Sequence, residues 1–265
     1  MHNSGARPQH RATPAATAMT PTIDRMNGLV RAWEEARDRR AVFLGCYALM
    51  TGNMLRAVEE GRFRDPEWTG RLLERFASYY FTALEHYECG SEATPAVWTA
   101  AHECAREPGS AAVVNLLLGV NAHINYDLVL VTAELLEPEW ASLPPELRQV
   151  RHADYSAVNA VIAETIDAVQ DRVLERHDPG MELADTLLGR LDEWWTARLI
   201  SSWRGDVWRS AVKLVECAGP AEALRLRGEV EESAMLRAGL LRRGDRIGRR
   251  AFGYPARWLN RLVLA

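Results

Sequence analysis

The chain has 265 residues, 48% hydrophobic and 26% charged, with a formal net charge of -4. That is an ordinary globular composition, long enough for one large domain with ample core. The charge balance gives no global attraction to nucleic acid or to an anionic membrane surface, and Lys213, the only lysine, is the only residue that could form a lysine Schiff base.

Residues 1–21 are rich in Pro, Ala and Thr and lack an apolar h-region. They are expected to be a disordered leader rather than a signal peptide. Helical periodicity starts near Ile23, with Leu29, Val30 and Trp33 on its apolar face. Asp38 marks a break, and a second helix is expected from about Arg39 to Gly61, in which Gly45 and Gly52 permit close helix contact. Asp65-Pro66-Glu67 is a strong helix start, an N-cap followed by proline at the first helical position. That helix runs to about Cys89, with Gly90 as its C-cap. Thr94-Pro95 opens a short helix through Trp98 and His102, and Pro108-Gly109-Ser110 breaks it and caps the next.

Residues 110–136 are expected to form a buried central helix. Pro144 and Pro145 precede a helix that reaches about His177 and ends at Asp178-Pro179-Gly180. Met181 to Ala218 is helical, with a break expected near Arg204-Gly205-Asp206. Gly219-Pro220 starts a charged outer helix to about Arg243, and Tyr254 to Ala265 would be a short docking helix. No alternating strand pattern appears, and no run approaches the roughly 18 apolar residues of a membrane span. The fold expected is all-α: a single helical-bundle domain over residues 22–265, of about eight or nine helices. The scattered cysteines Cys46, Cys89, Cys104 and Cys217 contain no C-x-x-C pair and fit free thiols in a reducing cytoplasm.

The central helix carries the chemistry. Asn115 to Glu134 is apolar nearly all the way round, which marks a buried helix, yet it holds Asn121, His123, Asn125 and Asp127. Buried polar groups are costly unless satisfied, so the four imply a structural network or a site. His123 and Asp127 are four apart and share a face, extended by Leu116, Val120, Leu130 and Glu134. Asn121 and Asn125 share the opposite one. A second polar set, His152, Tyr155 and Asn159, lies on one side of the following helix, and Asp154 stands near its start. The tryptophans, among them Trp194, Trp195, Trp203 and Trp208, suit either packing or the wall of an apolar pocket.

The stretch LLLGVNAHINYDLVLVTAEL resembles the signature of an uncharacterised bacterial family: a Leu-rich run, Asn-Ala-His-Ile-Asn, then an aspartate-leucine pair. TPAVWTAAHE resembles the family's Pro-x-x-Trp element, and HADYSAVNAVIAE its aspartate–aromatic–Val-Asn segment. The likeness spans Trp33 to Asp171. It implies a helical fold and points to Asn121, His123, Asn125, Asp127, Asp154 and Asn159, and it brings no established reaction.

Three functions follow as expectations. In the first, the chain is a small-molecule enzyme, a cyclase, isomerase or lyase of secondary metabolism that needs no cofactor. His123 is its acid/base, oriented by Asp127; Asn121, Asn125, Asp154, Asn159 and Tyr155 bind a hydrophobic substrate in an apolar pocket. In the second, His123 and Asp127 hold a divalent metal for hydrolysis, with His86 as third ligand and Glu85, His102, His152 or Asp154 as substitutes. In the third, the bundle is a non-catalytic ligand-binding or scaffold module whose polar layer fixes helix register. A homodimer is compatible with each.

Overall fold

The computed structural model describes residues 14–169, 172–173 and 191–252. Its helices, in chain order, are α1 (Pro14–Glu35), α2 (Arg40–Glu59), α3 (Pro66–Glu88), α4 (Ala96–Arg106), α5 (Ala112–Ala122), α6 (Leu128–Trp140), α7 (Pro145–Val169), α8 (Leu191–Glu216) and α9 (Pro220–Phe252). Between α5 and α6 the chain continues as a π turn, His123–Asp127, so these two and the turn form one helix. No strand occurs among the described residues, and the fold is all-α.

Local chemistry sets most boundaries where the sequence places them. Asp65 accepts a hydrogen bond from the Trp68 amide at 2.9 Å, with Pro66 at the first helical position, so α3 starts as expected. Gly90 follows α3 with φ 69°, the left-handed conformation that glycine adopts without strain. Other boundaries differ. α1 starts at Pro14, inside the expected leader, and Met19 is fully buried in the core. Ser110 does not cap α5; its hydroxyl pairs with the Asn115 side chain instead. α8 runs unbroken through Arg204-Gly205-Asp206, because Arg204 is anchored to α7. α9 extends past Arg243 to Phe252. Residues 1–13, the expected stop at Asp178-Pro179-Gly180, the start at Met181 and the C-terminal docking helix lie outside the described residues.

The α5–α6 helix runs through the middle, against α2, α3, α4, α8 and α9. Its closest approach is to α2. A Cβ added to Gly119 would sit 2.3 Å from Phe43 Cγ and 2.7 Å from its Cβ, so only glycine fits there. Neither Gly45 nor Gly52 makes so close a contact: Gly45 has Val30 and Val173 at van der Waals distance, and Gly52 has nothing within 4 Å. Contrary to the sequence expectation, Arg40–Glu59 and Ala112–Trp140 are both long and apolar enough to cross a bilayer. In this fold 61% and 83% of their apolar windows are buried against other helices, which is itself a sufficient reason for that composition. The four cysteines form no disulfide among the described residues; Cys89 is exposed and Cys104 buried.

Candidate functional site

The π turn divides the four polar residues of the central helix between two environments. The Leu128 amide donates five residues back to the His123 carbonyl, the hydrogen bond that defines the turn. His123 and Asp127 face α2, α3 and α4. Asn121 and Asn125 face α9.

His123 is 4% and Asp127 1% exposed. His123 Nδ1 lies 3.4 Å from Asp127 Oδ2, and the same oxygen accepts a hydrogen bond from Trp98 Nε1 at 2.9 Å. Aromatic rings enclose the imidazole. Phe76 stacks on it with centroids 3.5 Å apart and planes at 6°, and Tyr47 meets it edge-on at 4.2 Å. Phe43, Trp98 and Tyr80 complete the cage at 5.7, 6.2 and 6.3 Å. Burial holds the imidazole well below its usual titration range. Burial also raises the Asp127 carboxyl well above the usual carboxylate range, against the opposing effect of the Trp98 hydrogen bond. Near neutral pH the pair is therefore a carboxylic acid beside a neutral imidazole, and the cage holds no net charge. His123 Nε2 has no hydrogen-bond partner. A pit of about 10 Å³, at the lower limit for one water, touches Phe43, Tyr80 and Trp98 but neither member of the pair.

The asparagines form a directed chain. The Ala234 carbonyl of α9 accepts from Asn121 Nδ2 at 2.9 Å, which turns Asn121 Oδ1 toward Asn125; Asn125 Nδ2 donates to it at 3.0 Å. Asn125 Oδ1 is thereby left as an acceptor. Asn125 lines a cleft of about 220 Å³ enclosed by the π turn, α6, α8 and α9. Val129, Val207, Leu226 and Val230 supply apolar wall; Ser210, Lys213, Asp206, Glu229, Ser233 and Arg237 supply polar groups.

The other expected site residues are placed elsewhere. Asp154 accepts from the backbone amides of Arg64 and Asp65 at 2.9 and 2.6 Å, pinning the turn before α3. Tyr155 Oη donates to the Arg204 carbonyl at 3.0 Å, and Arg204 returns hydrogen bonds to the Tyr155 carbonyl and Asn159 Oδ1 at 2.7 and 2.8 Å. Asn159 Nδ2 also donates to Ser201 at 3.2 Å. This set ties α7 to α8. It makes no hydrogen bond to His123 or Asp127, so the two polar sets do not line one cavity. His152 is exposed, beside Trp208.

His86 stands ten residues beyond Phe76 on α3, about 15 Å along the helix, and is not brought to the pair. Glu85 pairs with Arg25 instead. His102 stacks on Trp98 at 5.4 Å, on the helix that supplies that indole. Its Nε2 is unpartnered, and burial, assisted by the Arg40 and Arg106 cations, lowers its pKa to about 3. Among the described residues no group of three His, Cys, Asp or Glu is placed to hold a metal ion. Trp33, Trp68, Trp98, Trp140 and Trp208 are buried packing residues, and the side chains of Trp194 and Trp195 lie outside those described.

Sequence reasoning missed Trp98 as the Asp127 donor, the four other cage rings, the π turn and Arg204. It had Trp98 only as a packing or family-motif residue.

No curated protein and no solved structure matches the chain. The model of a family of unknown function, DUF5995, matches residues 19–244, nearly the whole described bundle, and the chain belongs to that family.

Proposed function

We propose that the chain is a small-molecule-binding protein whose ligand site is the cleft over Asn125, and that the His123–Asp127 pair is a packing latch behind it. One observation carries this reading: the buried Asn125 amide, with one acceptor atom unused, faces a cleft walled by both apolar and charged side chains. Binding sites join apolar wall to a few placed polar groups in this way. The His123–Asp127 pair has the opposite character, closed in by five aromatic rings with no described cavity beside it. Such a pair contributes register: only the observed pairing of α4, α5 and α2 gives Asp127 its indole donor. Extracting purified protein for bound metabolites tests the reading. A small molecule retained by wild type and lost in Ser233→Trp, which fills the cleft, supports it. A wild-type protein that neither retains a molecule nor shows cleft shifts with any fragment by NMR refutes it.

A second reading keeps His123 as the acid/base of a cyclase, isomerase or lyase acting on an apolar substrate. The observation in its favour is the unpartnered Nε2 on an imidazole oriented by a carboxylate, the arrangement of an activated base. It requires the half-buried Phe76 ring to swing aside. Diethyl pyrocarbonate distinguishes the two readings without a known substrate. Carbethoxylation of His123 in the folded protein at a rate near that of His86 and His152 supports the enzyme, whereas protection until global unfolding leaves the latch.

A further inference from the structure

We infer that the cleft takes a small amphipathic carboxylate that also carries an N–H or O–H donor. The inference rests on the binding reading above and adds the ligand class. Three features of the cleft define it.

The first is the direction of the amide chain. The Ala234 carbonyl is a fixed acceptor, so Asn121 must present its NH2 to α9 and its oxygen to Asn125. Asn125 must then spend its NH2 on Asn121. The atom left for the cleft is Oδ1, a hydrogen-bond acceptor on a residue only 5% exposed. The complementary ligand group is therefore a donor.

The second is the charge at the two ends. Asp206, Ser210 and Lys213 lie on one face of α8; Leu226, Glu229, Val230, Ser233 and Arg237 lie on the facing side of α9. Arg237 lies 3.9 Å from Asp206 and donates to Ser233 at 2.7 Å, which closes one end internally. Asp206 also pairs with Arg209, and Glu229 pairs with Arg225, a residue it shares with Glu222. Both acids of the lining thus have arginine partners. Lys213, seven residues or about 10 Å along α8 from Asp206, makes no ion pair among the described residues. The cleft's uncommitted charge is positive and sits at one end, where it suits a carboxylate.

The third is the wall between. Val129, Val207, Leu226 and Val230 give the ligand's middle an apolar surface. The volume, about 220 Å³, lies below the usual range for drug-sized ligands and limits the occupant to a small molecule.

The test uses ω-hydroxycarboxylates of three to eight carbons, the unsubstituted carboxylates of the same lengths, and the matching diols. Methyl shifts of Val129, Val207, Leu226 and Val230 report binding to the full-length chain. The expected result is tightest binding by one ω-hydroxycarboxylate, with the carboxylate lacking the hydroxyl weaker by on the order of tenfold. Lys213→Gln, an exposed substitution that leaves the packing alone, should weaken the hydroxycarboxylate by about fivefold and leave the diol unchanged. Raised salt should reduce the Lys213 effect. Equal binding of substituted and unsubstituted carboxylates, or a Lys213→Gln protein that binds within twofold of wild type, overturns the ligand class while the cleft remains a binding site. If no probe moves the cleft methyls, the binding reading falls with it.

Discussion

Replacing Gly119 with alanine tests the contact on which the aromatic cage is built. In an open helix the change should stabilise by about 1 kcal/mol, because alanine has the higher helix propensity. At Gly119 the new Cβ would meet Phe43 Cγ, Cδ2 and Cβ at 2.3, 2.4 and 2.7 Å. Ordinary carbon contacts lie near 3.5–4.0 Å, so at least ~0.8 Å must be recovered even at the farthest of the three. Rotating the phenyl ring relieves Cγ and Cδ2 poorly and Cβ not at all, since the backbone of α2 fixes Cβ. The helices must separate, and Phe43 cannot retreat freely because it packs against Tyr47, Tyr80, Trp98 and His123. Overpacking of this kind costs about 1–3 kcal/mol, and the absence of a rotamer escape places Gly119→Ala at the upper end. Less the propensity gain, the net loss is about 2 kcal/mol, or a fall in Tm of about 4–8 °C. Gly52→Ala is the internal control: it lies in α2 with nothing within 4 Å of its added Cβ, and should gain about 0.5–1 kcal/mol. Urea unfolding followed by circular dichroism measures both. A Gly119→Ala protein as stable as wild type, beside a stabilised Gly52→Ala, would refute the α2–α5 crossing described here.

Trp98→Phe keeps an aromatic wall but removes the only side-chain donor to Asp127 apart from His123, and should cost about 1–3 kcal/mol in urea unfolding; no loss would mean that the hydrogen bond contributes nothing to the latch. The two buried histidines predict different pH dependences. His102 titrates near 6.5 when unfolded and near 3 when folded, so below pH 6.5 the unfolded chain binds the extra proton and stability is lost as pH falls, by up to ~1.4 kcal/mol per pH unit. His102→Phe should remove that slope, and an unchanged slope would assign it to other groups. The His123–Asp127 pair acts on the alkaline side. Between the ordinary values of 3.8 and 6.5 the unfolded chain carries its proton on His123 and the folded chain carries it on Asp127, so the counts match and no slope arises. Above 6.5 the unfolded imidazole releases its proton while the folded carboxyl retains one, and stability falls as pH rises through the elevated Asp127 pKa. Asp127→Asn should abolish that alkaline loss, as read from stability measured between pH 6 and 9.

The sequence discloses the helices well because their signals are local. Asp65-Pro66 and Gly90 mark their ends by the chemistry of a few adjacent atoms. The buried polar quartet is also legible, since Asn121, His123, Asn125 and Asp127 contrast with the apolar residues around them. What those four residues touch is set by helices far away in the chain. The Asp127 donor is Trp98, 29 residues upstream, and the ring stacked on His123 is Phe76 of α3. Neither spacing follows a local period. The same limit made His86 an attractive third ligand: it is titratable and lies in an aromatic stretch, but α3 carries it about 15 Å beyond the ring that stacks on His123. Asp154 and Asn159 were likewise visible as polar residues near an apolar stripe, while their partners, two backbone amides and Arg204, belong to other segments.

The π turn explains why the quartet could not be read as one site. A continuous α-helix carries the His123–Asp127 face on through Leu130 to Glu134. One extra residue in the turn advances the following helix by about 100°, and no residue type marks the place. Glu134 accordingly lies exposed, held by Arg75 and Tyr79 of α3, rather than extending a buried polar layer. The same turn sets two neighbouring polar pairs to different tasks. Its His123 and Asp127 close against rings that leave no room for a ligand, while Asn125, two residues from each, reaches the α8–α9 cleft with its acceptor free. A strictly α-helical backbone would have to hold both pairs in register with a single apolar stripe. The local π geometry removes that constraint, and it places the accessible chemistry of this protein at the asparagine rather than at the histidine.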